Sequence, residues 1–204
     1  GGPHLHFEIR DMYTEKAINP MLFYPQIQDR IRPTLSKIIF YHVDDRSVYL
    51  AASDPTKIRG QLIKLNTDKV GIGISAHDRI TGSKNRFGIY SLRIFEDDML
   101  VYRMSLDSLD FGWGGHIKSV SDYGLPFRDV FKGFYDYCGF NLSDSGSQNG
   151  VIQLDKTKAK NIRVEVRDFQ GNVSSSRFKL ISRGERYSAK SNRLVCFESH
   201  RLSY

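Results

Sequence analysis

Short runs of alternating apolar and polar residues recur along most of this chain, separated by turn-forming residues. The two-residue period is clearest in five runs, residues 70–76, 90–95, 100–104, 162–168 and 177–181. Successive side chains of a β-strand point to opposite faces of a sheet, so this period predicts strands with one buried face. The chain is therefore expected to be mainly β, with antiparallel strands joined by polar turns.

Two runs also predict how the strands pack. Residues 38–41 are apolar without interruption, which favours a fully buried strand. In the run 70–76, Gly71, Gly73 and Ser75 share one face of the strand. Small residues on one face indicate that other atoms approach the backbone closely there.

One segment, residues 122–139, departs from the two-residue period. Pro126 suits the first turn of a helix, and Gly139 suits its end. The apolar residues between them recur at helical spacing and are Phe127, Val130, Phe131, Phe134 and Cys138. We therefore expect one short helix here, packed on a sheet.

Two aspartates end similar strand-and-turn units. Asp78 precedes a turn with Gly82, and Asp168 precedes a turn with Gly171. Aspartate accepts hydrogen bonds from turn backbone, and glycine supplies the positive φ that turns need. Such units resemble those of immunoglobulin- or fibronectin-like domains, which implies an immunoglobulin-like antiparallel β-sandwich. We expect both aspartates to stabilise their turns, with calcium binding by either one as the alternative.

The strongest functional motif stands at the beginning of the chain. His4 and His6 are two residues apart in a strand-like run, so both side chains are expected on one face. Imidazole is a good zinc ligand, and its near-neutral pKa suits proton transfer. A bare H-x-H is commonly incidental. Here it lies within the string G-P-H-L-H-F-E-I-R at residues 2–10, and Asn19 and Pro20 follow downstream.

This string resembles the last core strand of the lysostaphin- or LytM-like zinc metallopeptidases, family M23, which cut peptidoglycan cross-bridges. The resemblance covers residues 2–20. It implies that His6 is a zinc ligand and that His4 handles protons during catalysis. It also implies zinc as the cofactor and peptidoglycan or another envelope component as the partner. The implied location is the cell envelope, either periplasmic or extracellular.

The chain lacks the second half of that motif. The family takes its other two zinc ligands from an upstream H-x-x-x-D, and no histidine of this sequence has an aspartate four residues later. Since a catalytic zinc needs about three protein ligands, we expect the missing ligands to lie before Gly1 in a longer parent. We expect the chain alone to be inactive. The alternative is a non-catalytic β-sandwich module that binds envelope polymer or a protein partner.

Charge and composition limit the classes of partner and site that we expect for this chain. The 204 residues carry a formal net charge of +7, but basic and acidic residues are interleaved, so no nucleic-acid partner is expected. No apolar run approaches the roughly 18 residues of a membrane span, and no transmembrane segment is expected. Cys138 and Cys196 form no C-x-x-C, which makes a metal site unfavourable. Two buried free thiols are expected, with a disulfide as the alternative.

The domain organisation follows from these segments. Residues 28–33 are mostly polar and end in a proline, which is typical of a boundary. We therefore predict the end of the peptidase core at residues 1–27, a linker at 28–36 and a β-sandwich at 37–182. Residues 183–204 are predicted to be a tail or the start of a further region.

Overall fold

The computed structural model of the chain describes residues 7–43, 49–109, 121–134 and 150–184. Along these residues the elements are β1 Ile9–Arg10, β2 Ala17–Ile18, a 3-10 helix Pro20–Phe23, β3 Thr34–His42, β4 Tyr49–Ser53, α1 Pro55–Ile58, β5 Leu62–Leu65, β6 Lys69–His77, β7 Ser91–Glu96, β8 Met99–Ser105, β9 Ser108–Leu109, β10 Val130–Lys132, β11 Val151–Gln153, β12 Lys160–Arg167 and β13 Val173–Ser182. The mainly β prediction is confirmed. Cys138 and Cys196 lie outside the described residues, so their state stays a prediction.

Two main sheets form the predicted immunoglobulin-like sandwich. In the described chain the first sheet has the order β10–β6–β3–β4, with β11 also paired to β6. The second sheet has the order β5–β13–β12–β7–β8. Strand pairing is antiparallel except between β5 and β13, which run parallel at the edge of the second sheet. Hairpins alone cannot produce that parallel pair, so the chain crosses between the two sheets.

The main core lies between the two sheets. Phe40 of β3 and Phe178 of β13 meet edge to face across it, with ring centroids 5.7 Å apart. Both rings are fully buried, as are the alternating residues Ile72 and Ile74 of β6. Burying each such side chain contributes about 1.5–3 kcal/mol to folding. The alternation in the sequence therefore marks the residues that hold the sandwich together.

A second apolar cluster covers the outer face of the first sheet. Ile39 and Tyr41 of β3 contribute to it, while their neighbours in the strand face the main core. This explains why residues 38–41 are apolar without interruption, and it confirms the prediction of a fully buried strand. Phe134 lies over Gly71, and the ring of Tyr41 lies over Gly73. The predicted close approach to the glycine face of β6 is also confirmed.

The predicted helix at residues 122–139 is wrong for its described part. Val130–Lys132 is instead the strand β10, which pairs antiparallel with residues 73–75 of β6. Strand geometry sends Val130 into the outer cluster and lets Phe131 pack on the main core. An apolar stripe that fits helical spacing therefore serves two opposite faces of a strand. Residues 135–139 lie outside the described part.

Two features at the ends of β10 favour the strand over the helix. Asp129 has φ +51°, a left-handed conformation that interrupts a helix before β10 begins. Gly133 donates its N–H to the carbonyl of Ile72 at 2.8 Å. A Cβ at Gly133 would lie 2.7 Å from that same oxygen, so this close pairing requires glycine. Tertiary pairing with β6 thus overrides the local helical pattern.

The described α-helix is the single turn α1, which the sequence interpretation did not place. Asp54 caps it, because its side chain accepts a hydrogen bond from the N–H of Thr56, and Pro55 occupies its first position. Both residue types are favoured at these positions. No helix in the described residues is long and apolar enough to cross a membrane.

Residues 28–36, predicted as a linker, lie against one end of the sandwich. β3 already begins at Thr34, so the last three residues of this segment belong to the first sheet. Asp29 and Pro33 are buried, and the carbonyl of Pro33 accepts a hydrogen bond from the hydroxyl of Ser174 at 2.5 Å. The lead-in segment, as we name residues 28–33, is therefore packed on the sandwich.

Candidate functional site

The two residues that the motif assigns to a zinc site, His4 and His6, lie outside the described residues. Their roles as acid/base and zinc ligand stay predictions. The described continuation of the same string is β1, which pairs antiparallel with β2. β2 in turn pairs with β9, which directly follows the β7–β8 hairpin of the sandwich. A small three-stranded sheet therefore joins the end of the motif to the sandwich.

Asn19 strengthens that joint. Its backbone N–H donates to the carbonyl of Asp107 at 2.8 Å, and its side-chain amide donates to the carbonyl of Leu106 at 3.0 Å. Its side-chain oxygen accepts a hydrogen bond from the N–H of Met21 and so caps the 3-10 helix. Asn19 thus holds the end of β2 and the start of the 3-10 helix against the residues that precede β9.

The clearest cluster of chemically active side chains lies at the same end of the sandwich. Asp29, Asp78 and Asp168 each place one carboxylate oxygen within 4.8 Å of the other two. Their exposed fractions are 7%, 6% and 2%, so all three acids are removed from solvent. We name these residues the aspartate cluster. Buried carboxylates are rare unless they are paired or bind a metal.

The fold brings the three acids together from distant parts of the sequence. Asp78 directly follows β6 of the first sheet, and Asp168 directly follows β12 of the second sheet. Thr34, where β3 begins, pairs with His77, so the lead-in segment reaches the same end of the sandwich. Asp29 comes from that segment. The cluster therefore contacts both sheets and the chain that enters them.

Hydrogen bonds fix one side of the Asp29 carboxylate. Its Oδ1 accepts from the N–H of Ile31 at 3.0 Å, and from the N–H and the hydroxyl of Thr81 at 2.9 Å each. Burial raises the pKa of Asp29, but these hydrogen bonds outweigh burial and hold the pKa below its usual range. Asp29 is therefore ionised in the folded protein at neutral pH.

Asp168 stabilises its turn, as the sequence predicts. Its Oδ1 accepts from the N–H of Asn172 at 2.8 Å, and its Oδ2 accepts from the side-chain amide of Asn172 at 2.6 Å. Gly171 supplies the positive φ of this turn, at +89°. The same amide of Asn172 also donates to the carbonyl of Asp29 at 3.2 Å. The turn thereby contacts the lead-in segment as well.

Asp78 differs from Asp168. Its backbone exchanges two hydrogen bonds with Phe87, but its Oδ1 is buried and has no hydrogen-bond partner among the described residues. Burial, together with the charges of Asp168 and Asp29, raises the pKa of Asp78 to about 6, although a backbone hydrogen bond from Arg79 partly offsets these effects. Stabilisation of the turn therefore does not explain why the Asp78 carboxylate is buried.

Two further observations concern the charge balance of the aspartate cluster. Asp29 Oδ2, like Asp78 Oδ1, is buried without a hydrogen-bond partner in the described chain. None of the three acids forms an ion pair with a described residue. A buried acceptor without a partner costs about 1–3 kcal/mol, and more when it is charged. Among the described residues, no cation therefore balances the negative charge of the cluster.

Asp78 and Asp168 are predicted from the sequence as turn residues or calcium ligands, but Asp29 is not. The internal similarity of two strand-and-turn units pointed to the first two acids. Asp29 lies in a polar segment that composition alone assigns to a boundary, and its burial depends on contacts with residues far along the chain. The described histidines, His42 and His77, are the last residues of β3 and β6.

A second candidate surface is the outer face of the second sheet. Alternation places cationic side chains around the carboxylate of Glu165 there. The cations on this face are Arg93, Arg103, Arg163, Arg167, Arg177 and Lys179. We name them the cationic face. Burial, then the charges of Arg167 and Arg103, lower the pKa of the Arg93 guanidinium, which indicates that positive charge is crowded here.

Part of this face forms a shallow pocket. Arg163, Arg177 and Lys179 line it together with Asp98, and its volume is about 260 Å³. Arg163 stacks over the ring of Phe95, with its guanidinium carbon 3.7 Å from the ring centroid, and also pairs with Glu165. Stacking and pairing hold this guanidinium in place, while Arg177 and Lys179 are exposed. The pocket therefore places the fixed guanidinium of Arg163 beside the exposed cations of Arg177 and Lys179.

Comparisons with protein-family models, with curated proteins and with solved structures each find no match for this chain.

Proposed function

We propose that this chain forms the β-sandwich module that follows the catalytic core of an M23-like zinc peptidase of the cell envelope. The observation that carries the proposal is the string at residues 2–20, in which His4 and His6 take the positions of the family's catalytic histidine and zinc ligand. Because two further zinc ligands are missing from the sequence, the chain alone is inactive.

The joint between the string and the sandwich supports this proposal. β1 continues the string directly and is held by β2, which is paired to β9 of the sandwich side. Asn19 adds two hydrogen bonds to the backbone that precedes β9. A rigid joint of this kind would set the orientation of a peptidase core relative to the module.

The chemistry of the complete site follows from its ligands. Bound zinc polarises the scissile carbonyl and lowers the pKa of a water. Within this chain, His6 would bind the metal, and His4 would take up or return a proton. The remaining ligands would come from an upstream H-x-x-x-D in the parent protein.

Hydrolysis of cross-linked peptidoglycan tests the proposal. This chain should release no peptide fragments, whereas a chain extended upstream to include H-x-x-x-D should release them. In the extended chain, His4→Ala and His6→Ala should each abolish release, while His42→Ala, outside the motif, should leave it unchanged. Cleavage by the present chain, or an inactive extended chain that is folded and zinc-loaded, would contradict the proposal.

The cationic face supports a second candidate function, the binding of an anionic envelope polymer. Arg177 and Lys179 are exposed beside fixed guanidinium groups, and like charges gathered on one face attract polyanions. Co-sedimentation with purified cell-wall material tests it. Exchanging both residues for Gln should weaken binding several-fold and reduce its salt dependence. The control pair Lys57→Gln and Lys84→Gln, exposed outside this face, should bind as the parent does; equal binding by both pairs would contradict this function.

A further inference from the structure

We propose that the aspartate cluster binds one Ca²⁺ ion, and that this ion fixes the lead-in segment to the end of the sandwich. The site lies outside the zinc motif and uses none of its residues. The proposal is therefore independent of whether the parent protein is a peptidase.

The burial of the cluster is the first argument for a cation. Acidic residues gathered on a surface are common and need no ligand, but Asp29, Asp78 and Asp168 are more than nine-tenths buried. Three carboxylates whose oxygens lie within 4.8 Å repel one another strongly when water is excluded. A bound divalent cation would remove this repulsion and leave one net negative charge from three carboxylates.

The unpartnered oxygens are the second and independent argument. The Asp29 carboxylate accepts three hydrogen bonds at Oδ1, and its Oδ2 has no partner among the described residues. Asp78 Oδ1 is likewise buried and unpartnered. Native structures leave few such atoms, and an ion or an ordered water is the usual explanation. Within the described part of the chain, two adjacent acids therefore each offer a buried oxygen that accepts no hydrogen bond.

The ligand chemistry selects calcium over other biological cations. The cluster offers oxygen only, while zinc and copper favour imidazole or thiolate. Ca²⁺ accepts six to eight oxygens at about 2.3–2.6 Å in irregular geometry, so two of its ligand oxygens can be about 5 Å apart. The observed spacing within 4.8 Å fits this range with little movement. Mg²⁺ demands a tighter octahedron at about 2.0–2.1 Å and suits this spacing less well.

The position of the cluster determines what the ion would do. Its ligands come from the lead-in segment and from the ends of a strand in each main sheet. Neutral contacts already join these parts, for example from the side chains of Asn172 and Ser174 to the carbonyls of Asp29 and Pro33. An ion shared by all three acids would hold the lead-in segment, and with it the small sheet, in one position.

Equilibrium dialysis of the chelator-treated chain against radioactive calcium tests the site. We expect one Ca²⁺ per chain with a dissociation constant below about 1 mM, in the range of extracellular modules. Asp78→Asn should weaken binding at least tenfold. Asp98→Asn, which changes an exposed turn aspartate away from the cluster, should bind calcium as the unchanged chain does.

Three results would overturn the proposal. They are the absence of saturable binding up to about 5 mM calcium, undiminished binding by Asp78→Asn, and equally tight binding of Mg²⁺. Loss of fold does not confuse the test, because Asp78→Asn removes a buried charge and should leave the metal-free protein folded by circular dichroism. If that variant is unfolded, Asp168→Asn, whose amide can keep a turn bond, replaces it with the same expected loss.

Limited proteolysis tests the structural consequence. Trypsin can cut after Arg30, an exposed residue next to Asp29 in the lead-in segment. Calcium should slow this cut at least fivefold in the unchanged chain and in Asp98→Asn, but not in Asp78→Asn. A cleavage rate that calcium leaves unchanged, in a chain that binds calcium, would show that the ion does not fix this segment.

Discussion

The ring of Phe134 lies directly on the backbone of Gly71, so closely that a Cβ at Gly71 would be 2.4 Å from a ring carbon. This contact closes the outer apolar cluster over β6 and requires glycine at this position. It explains why one face of a buried strand is formed by its smallest residues. The stability of the sandwich therefore depends on the glycine at position 71 as well as on the core.

Gly71→Ala should destabilise the protein by about 1–3 kcal/mol, the usual cost of forcing extra atoms into a packed region. Urea denaturation measures the effect. Gly88→Ala is the matched control, because a Cβ at Gly88 would meet no atom within 4 Å. If the two variants unfold at the same urea concentration, the close packing of Phe134 on β6 is wrong.

Asp78 should make the chelator-treated protein less stable as the pH rises. Its folded pKa is raised from 3.8 to about 6, so the unfolded chain releases the proton first. The contribution of the protonated acid is therefore fully present below about pH 4 and lost by about pH 7, up to roughly 3 kcal/mol.

Asp78→Asn isolates this contribution from those of other acids. The difference in unfolding free energy between the variant and the unchanged chain should grow in favour of the variant from pH 4 to pH 7. A difference that stays constant across this range would show that Asp78 titrates normally, and the burial argument would fail.

Thr81→Val should loosen the lead-in segment, because the variant loses the hydroxyl that donates to Asp29 and accepts from the N–H of Arg30. The expected cost is about 1–2 kcal/mol of unfolding free energy, with faster hydrogen exchange in residues 28–33. Thr81→Ser keeps the hydroxyl and should retain slow exchange. Equal exchange in the two variants would mean that this hydroxyl does not hold the segment.

Asn19→Ala should weaken the attachment of the small sheet to the sandwich. The variant loses the cap of the 3-10 helix and the bond to the carbonyl of Leu106, so amide exchange in β1 and β2 should accelerate at least tenfold. Asn85→Ala, at an exposed loop position, serves as the control. Unchanged protection of β1 and β2 in Asn19→Ala would show that Asn19 does not hold the small sheet on the sandwich.

The strands could be predicted from the sequence because each carries its own evidence of burial. The alternation at residues 162–168 and the apolar run at 38–41 depend only on local period and composition. The segment before Phe134 could not be predicted in this way. Its apolar residues fit a helix, and the pairing of Val130 with Ser75 on a distant strand makes it β.

The aspartate cluster shows the same limit. Asp168 was predictable as a turn residue, because Asn172 and Gly171 stand beside it in the sequence. Asp29 was not, since its partner Thr81 is 52 residues away and becomes a neighbour only in the folded sandwich. A site whose residues come from both sheets and from the lead-in segment has no short motif in the sequence by which it could be recognised.

The zinc content of two purified chains shows whether residues upstream of this sequence complete the zinc site. By inductively coupled plasma mass spectrometry, the present chain should carry far less than one zinc per molecule. A chain extended upstream to include H-x-x-x-D should carry one, and lose it on exchange of His6 for alanine. Stoichiometric, tightly held zinc in the present chain, or none in the folded extended chain, would contradict the proposal that upstream residues complete the zinc site.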